Sequence, residues 1–345
     1  MAHLSRRNFL RSGLAAGVLA GAGGFTAKAA QLSATDWVTL GNSGVKVTRL
    51  AFGTGTFSGR VFRELGQEQF TTLVRYAYDH GIRFFETAES YAPMPSMLGI
   101  ALKGIPRDSY TLMTKYTVRP DENPQAKIDG FRKEMSTEYF DILLMHCMRS
   151  PSWPQETKFV QDGFSEAKSK KVILAHGASV HGLQALAAFP GYQWLDVALM
   201  RVNNAGVRMD TPSTRDSSDR GDVNQVVSQI AKVHAQGTGV LGMKLVGEGQ
   251  FTTPEQREAS MKFVLGLGTV DAMTIGQKSP AEIDENIGRM NRLLNACAGN
   301  RQHSLAGFPS GACRRGMDRV RIAVSLHANH CYLWRDHVAP GPPGL

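Results

Sequence analysis

The chain has 345 residues, of which 42% are hydrophobic and 20% charged, with a formal net charge of +9. That supports one large barrel or two ordinary domains around an apolar core, and it excludes a disordered or fibrous chain. The positive residues are scattered, with no basic stripe carrying interleaved aromatics, so no nucleic-acid partner is expected. Cys147, Cys297, Cys313 and Cys331 make no CxxC pair, which leaves a zinc ribbon or ferredoxin-type cluster without support.

The first thirty residues read as an address. Ser5-Arg6-Arg7-Asn8-Phe9-Leu10-Arg11 is a twin-arginine pattern, followed by a Gly/Ala-rich apolar run over 14–25 and an Ala27-Lys28-Ala29 cleavage site. Together these features predict a twin-arginine export signal over 1–30, with the export machinery as a partner and the periplasm as destination, or the cytoplasm if the signal is inefficient. The run is too short and glycine-rich for a stable membrane span.

From Val38 onward, short apolar runs alternate with helical patterns. Strands are expected over 47–52, 82–85, 110–114, 139–145, 172–176, 197–202, 240–243 and 272–275. Helices are expected over 68–80, 97–103, 125–136, 156–169, 183–188, 223–236, 254–265 and 281–294. The strands are continuously apolar, as in a parallel sheet buried on both faces. Eight such units predict a (β/α)8 TIM barrel, a single domain over 31–295. A doubly wound open sheet is the runner-up, but no G-x-G-x-x-G opens the first helix. The tail, 296–345, is rich in Arg, Gly, His and Cys, has no period and reads as irregular. His327, His330 and Cys331 are weak ligand candidates there, and no metal is predicted.

Three strands end in groups that carry protons. Glu86 closes the strand over 82–85 and Tyr91 follows five residues later. Lys115 follows the next strand, and His146 the one after. The C-terminal ends of parallel barrel strands share one face, so these groups are expected to converge.

The run Gly81-Ile82-Arg83-Phe84-Phe85-Glu86-Thr87-Ala88-Glu89-Ser90-Tyr91 resembles a signature of the aldo-keto reductases. The spacing on to Lys115 and to His146, the run 239–247 and the run 275–286 resemble the same family in the same order. The resemblance covers about 38–294. It implies an NAD(P)H-dependent oxidoreductase that reduces an aldehyde or ketone, a small-molecule carbonyl substrate, to an alcohol. Tyr91 would be the general acid, Lys115 its cationic neighbour, Glu86 the partner of Lys115, and His146 the group that orients the carbonyl or shares the proton with Tyr91. A tyrosine that titrates near 10 works at neutral pH with help, and Lys115 is expected to lower it.

The resemblance also implies a dinucleotide site made of Thr54, Ser179, Arg201, Met243, Gly276, Lys278, Glu282 and Asn286. The charge of Lys278 favours NADP(H) over NAD(H). Departures from the family pattern are Glu86 for Asp, Ala92-Pro93 after the tyrosine, Ser179-Val180 for Ser-Asn, Arg201 where a glutamine is usual nearby, and Met243 for an aromatic. These departures motivate an alternative, a non-catalytic barrel that binds a nucleotide or other ligand. An isomerase or lyase on the same barrel is a third reading.

Overall fold

The computed structural model describes residues 31–213 and 219–304, with the backbone alone over 297–304. The chain divides between Gln31 and Leu32, and every described strand lies in the second part. The expected export signal, most of the tail and its candidate ligands lie outside the described residues.

Ten strands are described rather than the eight expected. β1 (Trp37–Thr39) and β2 (Lys46–Thr48) form an antiparallel hairpin. The run read as one strand over 47–52 is therefore broken, and the first barrel strand is β3 (Leu50–Gly53). Then come α1 (Arg60–Asp79), β4 (Phe84–Glu86), α2 (Met94–Leu102), β5 (Thr111–Tyr116) and α3 (Pro124–Glu134). β6 (Phe140–Met148), α4 (Trp153–Glu156), α5 (Lys158–Ser169), β7 (Ile173–Val180) and α6 (Leu183–Leu186) follow. The chain continues through β8 (Val197–Arg201), α7 (Val223–Ala235), β9 (Gly239–Met243), α8 (Pro254–Leu267), β10 (Ala272–Ile275) and α9 (Pro280–Ser304).

β3 to β10 close into a parallel barrel, with β10 pairing both β9 and β3. All six residues of β5 are buried, one set against the helices and the other in the barrel interior, which explains the continuous apolar runs. The interior holds Ala51, Phe84, Met113, Ile142, Leu144, Val197, Leu199 and Leu241, and the hairpin residues Leu40, Val45 and Val47 pack onto that cluster. Thr111 Oγ1, at the start of β5, donates to the Lys46 carbonyl at 2.6 Å. The hairpin therefore plugs the N-terminal end of the barrel and leaves the C-terminal end for a site.

Helix starts follow local chemistry. Asn123 and Asp222 side chains cap α3 and α7, and Thr253 with Gln256 forms a capping box on α8. α1 begins well before the expected position and breaks at Gly66, whose φ of 75° and ψ of 168° glycine tolerates. The helix expected over 156–169 is α5, with the separate short helix α4 just before it. α9 continues past Leu294 to Ser304, so the tail expected to be irregular from 296 begins as helix.

Candidate active site

Glu86 stands at the end of β4, and the chain then makes one short turn, Glu89–Tyr91. Lys115 lies on β5 and His146 on β6. Parallel closure brings these three ends to one face. Lys115 is 1% exposed and Glu86 4%, so this ion pair is buried. Lys115 Nζ donates to Glu86 Oε1, to the Thr87 carbonyl at 2.9 Å and to the Tyr91 hydroxyl at 3.4 Å. His146 Nε2 lies 3.5 Å from the same hydroxyl, and Ser90 Oγ lies 3.0 Å from His146 Nδ1. The Tyr91 and His146 rings meet edge-on at 85°. The Tyr91 hydroxyl thus sits between a cation and an imidazole nitrogen.

The electrostatics correct one expectation. The Tyr91 phenol is pushed well above its ordinary value, first by burial and then by the Glu86 carboxylate. Lys115 is paired with that carboxylate, so its charge does not lower Tyr91 as expected. His146 is held well below the usual histidine range, first by burial and then by Lys115 and His181. At neutral pH the phenol therefore keeps its proton and the imidazole is neutral.

An inner cavity opens at Tyr91 and is lined also by Gly53, Glu86, Lys115, Met243, Lys244 and Gly276. An outer cavity is lined by Phe57, Phe251, Arg257, Lys278, Glu282 and Asn286. Both touch Thr56, Val246, Ile275 and Gly276, so one trough runs from Tyr91 to α9. A Cβ on Gly276 would lie 2.2 Å from Thr56 Oγ1, so glycine is what lets these walls approach. The walls of the trough mix apolar side chains with charged and hydroxyl groups, a lining suited to an organic cofactor.

The other expected dinucleotide residues divide. Met243, Gly276, Lys278, Glu282 and Asn286 line the trough, and Asn286 Nδ2 donates to Gln277 Oε1 at 3.4 Å. Ser179 and Arg201 do not line it. Ser179 Oγ accepts the Cys147 N–H at 2.9 Å, while Arg201 contacts His181 Nδ1 and lies 3.8 Å from Asp210. Thr54 also lies off the trough; its N–H donates to the Glu86 carbonyl at 3.1 Å, and its buried hydroxyl has no partner among the described residues.

Sequence reasoning missed Ser90, which contacts His146, and Thr274, whose hydroxyl donates to Glu86 Oε2 at 3.3 Å. It also missed Lys244 and Glu248, paired at 2.7 Å beside the inner cavity. Lys244 stands within the run 239–247 already noted, so it was open to detection; the Thr274–Glu86 contact was not. Among the described residues, no helix is long and apolar enough to cross a membrane, and no group of three or more His, Cys, Asp or Glu could hold a metal.

Residues 49–197 match the model of the aldo/keto reductase family. The chain is 28% identical over 173 residues to the protein named "Probable aldo-keto reductase 1" of Glycine max, covering 43% of this chain and 49% of that one. It is 36% identical over 118 residues to L-galactose dehydrogenase of Arabidopsis thaliana, covering 31% of this chain and 36% of that one. The match thus spans half or less of each of these relatives. An aldo-keto reductase of Klebsiella pneumoniae, solved in complex with NADPH, shares the fold at 15% identity and a TM-score of 0.57, over 76% of this chain and 90% of that one.

Proposed function

We propose that this chain, whose residues 49–197 match the model of the aldo/keto reductase family, reduces an aldehyde or ketone to an alcohol with NAD(P)H. The observation that carries this reading is the meeting of Tyr91, Lys115 and His146 at one end of the trough. The NADPH of the Klebsiella pneumoniae structure and the dehydrogenase activity named for the Arabidopsis thaliana relative support nicotinamide chemistry.

A bound nicotinamide supplies the hydride. Met243, Gly276, Lys278, Glu282 and Asn286 would hold the dinucleotide. A carbonyl oxygen whose carbon accepts a hydride gains negative charge and needs a proton. Tyr91 is protonated at neutral pH and donates it. The neutral His146 orients the carbonyl toward the same hydroxyl. Lys115, fixed by Glu86 and the Thr87 carbonyl, holds the Tyr91 hydroxyl in place through its 3.4 Å contact.

The test is loss of NADPH or NADH absorbance with a panel of aldehydes. Tyr91→Phe should lower turnover by about a hundredfold or more while dinucleotide affinity stays. Unchanged turnover in that variant would remove Tyr91 from the reaction. Dinucleotide binding with no turnover across the panel would favour a second reading, a barrel that binds a nucleotide without chemistry. The engagement of Ser179 and Arg201 away from the trough favours that second reading.

The Arg6-Arg7 pair and the Ala27-Lys28-Ala29 site support export to the periplasm by the twin-arginine route. A reporter fused after residue 30 should reach the periplasm, and Arg6→Lys with Arg7→Lys should keep it inside.

A further inference from the structure

The outer cavity is lined by Arg257, Glu285, Lys278 and Glu282, and two of these charges already serve each other. Glu285 Oε1 accepts from Arg257 Nη2 at 2.8 Å, from Arg257 Nε at 3.2 Å and from Arg289. Arg257 Nη1 donates to the Phe251 and Thr252 carbonyls at 3.2 and 2.9 Å. Arg257 and Glu285 therefore form a strut between α8 and α9. Lys278 and Glu282 are the other two charged residues of that lining.

These two differ in how firmly they are held. Lys278 is exposed, on a long flexible stem. Glu282 is half-buried in the first turn of α9, and its Oε2 accepts the Lys278 N–H at 2.8 Å. The carboxylate is a fixed negative charge in the same turn as the lysine backbone.

We infer that Glu282 sets which dinucleotide this site takes, by accepting a ribose 2′-hydroxyl and opposing a 2′-phosphate. This rests on the nicotinamide reading above and reverses the preference drawn from Lys278 alone. A carboxylate makes a charge-assisted hydrogen bond to a sugar hydroxyl. A phosphate monoester carries between one and two negative charges at neutral pH, so a fixed carboxylate beside it repels it. Lys278 offsets part of that repulsion as a mobile point charge.

The experiment is calorimetric titration of the full chain with ADP-ribose and with 2′-phospho-ADP-ribose, neither of which needs turnover. Glu282→Gln keeps the shape and the hydrogen-bonding oxygen but removes the charge. It should tighten the phosphorylated ligand about tenfold while leaving ADP-ribose unchanged or weaker. Lys278→Met should weaken only the phosphorylated ligand. An unchanged ratio of the two affinities in Glu282→Gln overturns this inference and leaves the reductase reading standing. Binding of neither ligand by the unaltered chain overturns both.

Discussion

Glu86 is one methylene longer than the aspartate of the family pattern, and Gly53 makes the room. A Cβ at Gly53 would lie 3.0 Å from Glu86 Oε2 and 2.5 Å from Thr274 Oγ1. Gly53→Ala should therefore push the carboxylate and Lys115 aside, and a shift of about 1 Å in such a site costs on the order of a hundredfold in turnover. Steady-state kinetics of that variant on any accepted aldehyde would check it. Tyr91, Lys115 and His146 were legible because each closes or follows an apolar run. The seating of Glu86 was not, because Thr274 is 188 residues away in sequence. The same residues make stability depend on pH at both ends. His146 is neutral when folded, so the unfolded chain takes the proton first and stability falls as pH drops below about 6.5. Tyr91 keeps its proton when folded, so the unfolded chain ionises first and stability falls as pH rises above about 10. Urea midpoints across pH should show both limbs, and His146→Gln should flatten the acid one.

At the scale of elements, what was legible tracked length and period. α8 and β10 were read almost to the residue, because Thr253-Pro254 marks a start and an apolar run marks a strand. The hairpin strands have three residues each, too few to show a period. β6 was expected to stop at 145 because the apolar run stops there, but it carries on through His146 and Cys147 to Met148. The register shifts between Met145 and Met148, and Cys147 takes a φ of 60°. Partner strand β7 holds the irregular stretch through Ser179, a contact invisible in either strand alone. The cap on α8 links fold to site, since Phe251 and Thr252, just before it, line the outer cavity. Thr253→Ala removes the acceptor of the Gln256 N–H and should cost about 1 kcal/mol, read as a lower thermal midpoint. ADP-ribose affinity should fall with it, because Arg257 grips the carbonyls of that same segment.

Across the whole molecule, a barrel holds its site only while its first and last strands stay paired. β10 pairs β3 over Met273–Leu50, Thr274–Ala51 and Ile275–Phe52, a short seam that carries Gly53 and Thr274 at the site end. The opposite end is pinned by two asparagines of α9. Asn295 accepts the Leu32 N–H at 2.9 Å and donates to the Leu32 carbonyl at 2.8 Å, while Asn291 accepts the Ala34 N–H at 2.7 Å. These bonds tie the segment leading into β1 to the last helix, beside the seam. Ending the chain within α9 near residue 290 would remove both pins. Asn291→Ala with Asn295→Ala leaves the chain length intact and strands three backbone groups, so it should lower stability by about 2–3 kcal/mol. Ordered unfolding is the telling readout. Limited proteolysis should cut the variant near residues 32–36 before it cuts the barrel, and the Lys115–Glu86 pair should hold until the seam itself opens. A loss of activity ahead of that first cut would mean that the seam and the pins act as one unit, and that the site depends on closure at the far end of the barrel.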